Sequence, residues 1–143
     1  MGARGDSLLD MKKLIYQVYL GHSKLYDYCT SSVRQYADAI GADHLVQTEP
    51  ILKIKPDISV TNRSVASYEK HGGFLPIFEK ENAFTYLESY DQVAIIDADI
   101  WVKPGSPSIF EDFGTDSDFG GVLERSMPLT QHYIKKIIDY SQS

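Results

Sequence analysis

The chain has 143 residues, of which 43% are hydrophobic, and a net charge of −6, as is ordinary for one globular domain. The acidic balance argues against a nucleic-acid groove, which needs clustered Lys and Arg. The single cysteine excludes an intramolecular disulfide, and no run of residues is apolar and long enough to span a membrane. We therefore expect a cytoplasmic protein with no membrane span and no nucleic-acid partner.

The first ten residues differ in character from the rest of the chain. They are mostly small and polar, and a second methionine, Met11, begins a segment that reads like a native N-terminus. We therefore interpret residues 1–10 as a disordered leader and residues 11–143 as the folded domain.

The first folded segment is predicted to be a strand, a helix and a second strand. Residues 14–20 are rich in β-branched and aromatic side chains and end at Gly21, which favours a strand. Apolar side chains then recur at helical spacing from the capping residue Ser23 to the stop residue Gly41. Cys29 lies on this apolar stripe, so we expect it to pack rather than to react. Residues 44–48 form the second strand and complete a β-α-β unit.

The same alternation of strands and helices continues through the rest of the chain. A short helix is predicted near residues 64–70, and a longer one begins at Pro76, because proline is favoured in a first helical turn. Its predicted apolar face consists of Ile77, Phe78, Ala83, Phe84 and Leu87. Further elements follow at residues 93–96, 108–113, 118–123 and 133–139. This order predicts an α/β fold with a mainly parallel central sheet flanked by helices.

Two aspartates, Asp97 and Asp99, follow the apolar run at residues 93–96. If the strand continues through them, they point to the same side and lie about 7 Å apart at their Cα atoms. Their carboxylates then repel by about 2 kcal/mol at an effective dielectric of about 20. A divalent cation would offset this repulsion, and open α/β sheets bind ligands at this carboxyl edge. The alternative is that the aspartates only cap a turn.

With this order of elements, the chain resembles the metal-dependent nucleotide-sugar glycosyltransferases of the GT-A fold. The shared features are an apolar strand running into Asp97-Ala98-Asp99, a preceding helix with Lys80 near its start, and a Gly-Gly-Val strand downstream. The likeness covers residues 11–143 and implies a Rossmann-like GT-A domain. Members of this family usually continue further, so the resemblance also implies a missing acceptor-binding region or a partner chain.

The resemblance implies a role for each matching residue. Asp99 would ligate Mn²⁺ or Mg²⁺ directly, and Asp97 would contact the ribose or reach the same metal. Tyr19 and Gly21 would meet the nucleobase and ribose at the end of the first strand, and Lys80 would face the diphosphate. For Tyr19 the alternative is packing within the strand, and for Lys80 it is a solvated position on the helix surface.

Three further residues complete the predicted site. Gly121 would let the backbone approach the donor sugar, and Glu124 is the candidate catalytic base of an inverting enzyme. His132 matches a family metal ligand only loosely, and a surface position is the simpler interpretation. The implied donor is a UDP-sugar or a GDP-sugar, and the implied acceptor is a hydroxyl of a glycan, protein or lipid.

Two other functions compete with this reading. One is a non-catalytic module that binds a sugar nucleotide or a partner protein on the same fold. The other is a phosphatase of the haloacid dehalogenase type, which also has Asp-x-Asp after a buried strand. That class usually has Thr or Val where this chain has Trp101.

Overall fold

The computed structural model describes residues 10–55, 65–70, 72, 74, 76–113, 120 and 139. By its internal contacts the chain divides into two units, Met1–Asp112 and Phe113–Ser143. Nearly all described residues belong to the first unit, which is a small α/β fold with a parallel sheet. The leader up to residue 9, the strand predicted at 118–123 and the helix predicted at 133–139 fall outside the described residues, apart from two isolated positions.

Three parallel strands form the sheet. They are β1 (Lys13–Val18), β2 (Asp43–Gln47) and β3 (Gln92–Ile95), each within two residues of its predicted bounds. The order is β2-β1-β3, and Leu14 of the central strand pairs with Asp43 on one side and Val93 on the other. Because the strands are parallel, their carboxyl ends meet at one edge of the sheet.

Helix α1 (Lys24–Ile40) connects β1 to β2 and has the predicted bounds. The side chain of Ser23 accepts a hydrogen bond from the backbone N–H of Tyr26 at 3.4 Å, which caps the amino end. Gly41 ends the helix with φ of 70°, a left-handed conformation that favours glycine. The local signals of cap and stop therefore fix this element.

The side chains of β1 alternate between two apolar clusters, because successive residues of a strand point to opposite faces. On one face, Ile15 packs with the buried residues Val33, Tyr36, Ala37, Ala42 and Phe110. On the other face, Leu14, Tyr16 and Val18 pack with Ala83. Every residue of β1 is buried. The central strand is thus covered on both faces, whereas the predicted buried run at 93–96 is only half-buried, with Ile95 exposed.

The segment before β3 is helical, but it is not one α-helix. Helix α3 covers Pro76–Glu79, and a 3₁₀ helix follows at Lys80–Glu88. A 3₁₀ helix has about three residues per turn instead of about 3.6, so different side chains face the sheet. Asn82 and Ala83 are buried, and the predicted apolar face is wrong at three exposed positions: Ile77, Phe84 and Leu87.

Two short helices complete the described structure. They are α2 (Val65–Lys70) and α4 (Ile109–Phe113), close to the predicted positions. No described helix has the length and apolar composition that a membrane span requires.

Candidate functional site

Two residues predicted to serve the same site are in direct contact at the carboxyl edge of the sheet. The ammonium of Lys80 donates a hydrogen bond to Oδ1 of Asp97, which makes an ion pair. Lys80 begins the 3₁₀ helix, and Asp97 lies two residues beyond β3. The side chains are 30% and 55% exposed, respectively, so both are open to a ligand. The structure therefore joins the predicted phosphate contact to a predicted metal ligand.

The two aspartates do not lie on one extended strand. Strand β3 ends at Ile95, and the N–H of Ile100 donates to the carbonyl oxygen of Asp97 at 3.2 Å, which closes a turn. Asp99 lies within this turn, and both aspartate side chains are exposed. The expectation that strand alternation sets their spacing is wrong, because the strand ends before it reaches them.

A buried glutamine holds the backbone at Asp97. Gln17 lies on the central strand and is fully buried. Its Nε2 donates to the carbonyl oxygen of Asp97 at 3.3 Å, and its Oε1 lies 2.7 Å from Nε2 of His44. An amide oxygen can only accept, so Nε2 of His44 carries the proton. Burial, helped by the charge of Arg34, lowers the pKa of His44, which keeps the ring neutral at pH 7.

Tyr19 and Gly21 follow β1 at the same edge, but the hydroxyl of Tyr19 is committed to the start of α1. It accepts from the N–H of Ser23 at 2.7 Å, and its proton goes to Oδ1 of Asp27 at 2.7 Å or to the carbonyl oxygen of Ser23 at 2.8 Å. The ring packs edge-on against Tyr26. These contacts agree with the packing alternative. Gly21 is exposed, with φ of 94°, and its nucleotide role stays a prediction.

Glu79, the last residue of α3, is only 1% exposed and anchors the loop after β2. Its Oε2 accepts from the N–H groups of Ile51 and Leu52 at 2.7 and 3.0 Å, and its Oε1 accepts from the N–H of Lys53 at 2.8 Å. Burial alone would raise the pKa of Glu79. The three backbone N–H groups and the amide of Gln47 outweigh burial and lower that pKa below its ordinary value of 4.5. Glu79 is therefore an ionised, fully engaged carboxylate at neutral pH.

A directed chain of hydrogen bonds leads to this carboxylate. Nδ2 of Asn82 donates to the hydroxyl of Tyr16 at 2.8 Å, and that hydroxyl donates to Oε1 of Gln47. Nε2 of Gln47 then donates to Oε2 of Glu79 at 2.8 Å. All four side chains are buried, and buried polar groups are costly when they lack partners. This series of hydrogen bonds connects the 3₁₀ helix, two strands and the loop after β2.

The sequence predictions missed these polar residues. Gln17 and Gln47 lie inside predicted strands of a sheet expected to have helices on its faces, and a buried amide requires a hydrogen-bond partner. That signal was present in the sequence. Glu79 has no comparable local signal, because a glutamate near the start of a helix is usually exposed.

Several predicted residues are not placed at this edge. Gly121, Glu124 and His132 lie outside the described residues, so their roles stay predictions. Cys29 is buried on α1, which confirms its packing role.

The predicted metal ligands are two aspartates just beyond β3. Within the described ranges, no three His, Cys, Asp or Glu residues gather as a metal cage. Asp97 and Asp99 nevertheless offer two exposed carboxylates, whose hard oxygens suit Mg²⁺ or Mn²⁺. Mg²⁺ is commonly held by one or two carboxylates together with water and substrate phosphates. Oδ1 of Asp97 already accepts from Lys80, and the metal role of the two aspartates stays a prediction.

The ion pair at this edge is expected to add little to stability. Replacing Lys80 with methionine should change the free energy of unfolding by at most about 1 kcal/mol. The reason is that a partly exposed pair stays solvated in the folded chain, so its electrostatic attraction is weak. Urea denaturation at pH 7 measures the change, with Lys103→Met as a control at an exposed lysine. A loss above about 2 kcal/mol relative to the control would contradict a mainly functional role for this lysine.

Comparisons with known proteins add no family assignment. No protein-family model matches the sequence, and searches of curated proteins and of solved structures give no match either.

Proposed function

We propose that the chain is a glycosyltransferase of the GT-A type, which moves a sugar from a nucleoside-diphosphate donor to an acceptor hydroxyl. The observation that carries this proposal is the contact between Lys80 and Asp97 at the carboxyl edge of a parallel sheet. Ligands of open α/β folds bind at this edge. The two residues come from different segments, and sequence reasoning assigned both to a diphosphate site.

The proposed reaction creates negative charge at this edge. When the bond between the anomeric carbon and the phosphate oxygen breaks, the departing diphosphate takes the electron pair. The oxygen of the acceptor hydroxyl forms the new bond to the anomeric carbon, and its proton would pass to a base, for which Glu124 is the candidate in an inverting enzyme. The ammonium of Lys80 stabilises that charge, and it does so best where water is partly excluded. A divalent cation held by Asp97 and Asp99 would supply Lewis-acid stabilisation of the same diphosphate. The proposed donor is a UDP-sugar or a GDP-sugar, and the acceptor is a hydroxyl of a glycan, protein or lipid.

Buried contacts support the geometry that this chemistry needs. Gln17 fixes the backbone at Asp97, and Glu79, the residue that precedes Lys80, is itself held by three backbone N–H groups of the loop after β2. Charged groups that act on a reacting phosphate must be held in place by their surroundings, because small displacements weaken electrostatic stabilisation. Both supporting residues are nearly or fully buried.

A binding screen tests the proposal. UDP, GDP, CDP and their sugars are added with and without Mn²⁺, and thermal unfolding and calorimetry report binding. We expect one diphosphate family to stabilise the chain only with metal, by about 2.7 kcal/mol at a hundredfold excess over Kd. Trp101 is the only tryptophan and is exposed two residues after Asp99, so its fluorescence gives a second readout.

The variant Asp99→Asn makes the screen specific. It should remove the metal-dependent stabilisation, because it removes one carboxylate, and it should leave the free energy of unfolding without ligand within about 0.5 kcal/mol. Glu111→Gln, at an exposed carboxylate on α4, is the matched control and should respond like the unchanged chain.

Four results would redirect the assignment. Equal stabilisation with and without metal, or an unchanged response of Asp99→Asn, would remove the glycosyltransferase proposal. Metal-dependent binding without transfer to any acceptor would favour the non-catalytic module. Release of inorganic phosphate from a phosphoester without an acceptor would favour the phosphatase.

A further inference from the structure

The loop that follows β2 exposes three aliphatic side chains in a row of six residues. We call residues 50–55 the apolar loop. Ile51 is 54% exposed, Leu52 is 38% exposed and Ile54 is 39% exposed. Single apolar residues on a surface are common, but contiguous apolar patches usually mark a place where another molecule binds. On α3, which carries the anchor of this loop, Ile77 is also exposed.

The backbone of the apolar loop is held in a fixed conformation. The carboxylate of Glu79 accepts three hydrogen bonds from the N–H groups at positions 51 to 53. Lys53 has φ of 52°, a left-handed conformation that is unfavourable for residues other than glycine and persists only when its surroundings impose it. The anchor therefore keeps the aliphatic side chains at the surface. A loop ordered beforehand also loses less entropy when it binds.

Two lysines alternate with the aliphatic residues of the apolar loop. Neither Lys53 nor Lys55 forms an ion pair with another described residue. The ammonium of Lys55 lies 4.7 Å from the ring centroid of Phe74, a cation–π contact. Residues 50–55 contain no acidic side chain, in a chain whose net charge is −6. The loop thus combines exposed aliphatic side chains with two lysines, and in the sequence Glu49 precedes it and Asp57 follows it.

We propose that the apolar loop docks on the anionic surface of a lipid bilayer. The aliphatic side chains would enter the boundary between headgroups and acyl chains, and Lys53 and Lys55 would contact anionic headgroups. Protein interfaces are depleted in lysine, whereas segments that bind anionic membranes combine lysine with apolar residues, and this loop contains both. The composition therefore fits a lipid surface better than a protein surface. The proposal and its test do not require the proposed glycosyltransferase activity.

Vesicle sedimentation tests the proposal without nucleotide, metal or acceptor. The full chain is mixed with vesicles of phosphatidylcholine, and in parallel with vesicles that also contain phosphatidylglycerol. We expect sedimentation with the anionic vesicles only, and we expect it to weaken as salt is added, because salt screens the lysines. Sedimentation that is equal for neutral and anionic vesicles would overturn the proposal. Failure to sediment with either kind, as expected if the loop binds a protein instead, would also overturn it.

Loop variants locate the contact. The double variant Lys53→Gln/Lys55→Gln should lower the partition coefficient by about 25-fold, at about fivefold for each lysine. The double variant Ile51→Ser/Ile54→Ser should lower it by at least about tenfold, through loss of buried apolar area. Both keep the backbone N–H groups that bind Glu79, and circular dichroism checks that they fold.

A matched control removes one exposed aliphatic residue and one exposed lysine elsewhere, as Leu25→Ser/Lys103→Gln. The control should sediment like the unchanged chain. Equal partition of the control and both loop variants would overturn the assignment to the apolar loop.

Discussion

Replacing Glu79 with alanine is expected to lower the free energy of unfolding by about 3–5 kcal/mol. The substitution leaves the N–H groups of Ile51, Leu52 and Lys53 and the amide of Gln47 without their acceptor, and it opens a cavity in a buried region. Urea denaturation at pH 7, followed by circular dichroism, measures the loss.

The matched control for this substitution is Glu81→Ala, two residues away on the 3₁₀ helix and exposed. It should change stability by no more than about 0.5 kcal/mol. Similar losses at both positions would contradict the anchoring role of Glu79.

The variant Glu79→Gln separates charge from volume and gives the pH dependence. The pKa of Glu79 is lowered from 4.5 in the folded chain, so its ionised form contributes stability that is fully present above the unfolded value. That contribution is lost as the pH falls through the folded pKa. The unchanged chain should therefore lose more stability than Glu79→Gln on acidification below about pH 4.5. Identical losses in the two proteins would show that the carboxylate is not specifically stabilised.

Replacing Gln17 with leucine is expected to lower the free energy of unfolding by about 2–3 kcal/mol. Leucine fills a similar volume but leaves the ring N–H of His44 and the carbonyl oxygen of Asp97 without their buried partner. Under the proposed function, the metal-dependent affinity for the diphosphate should also fall by about tenfold, since the backbone at Asp97 loses its tether. Urea denaturation and calorimetry measure the two effects.

Gln35→Leu, at an exposed position on α1, controls for the exchange of an amide for an aliphatic group. It should leave both quantities close to those of the unchanged chain. A Gln17→Leu protein as stable as this control would contradict the buried bridge.

The elements that depend on local signals were predictable from the sequence. The bounds of α1 follow from the cap at Ser23 and the glycine stop at Gly41, and the strands follow from their β-branched, apolar composition. The 3₁₀ helix was not predictable in the same way. Apolar residues at positions such as Phe84 and Leu87 suit an α-helical face. No local sequence signal indicates the 3₁₀ conformation that leaves them exposed.

The candidate site was predictable only in part, because its supporting contacts are distant in sequence. Lys80 and Asp97 were each predicted from the sequence of their own segment. The structure adds the ion pair between them. The hydrogen bond from Asn82 to Tyr16 spans 66 positions, and the one from Gln47 to Glu79 spans 32. Such pairs have no local pattern and depend on how the strands and helices assemble.

Two successive residues at the junction of α3 and the 3₁₀ helix, Glu79 and Lys80, contact different parts of the fold. The carboxylate at position 79 grips the backbone of the loop after β2, while the ammonium at position 80 reaches across to Asp97. The peptide unit between residues 79 and 80 thus links the loop after β2 to the carboxyl edge of the sheet. A displacement of this unit would disturb both contacts. A molecule that holds the loop after β2 in place would therefore also stabilise the contact between Lys80 and Asp97.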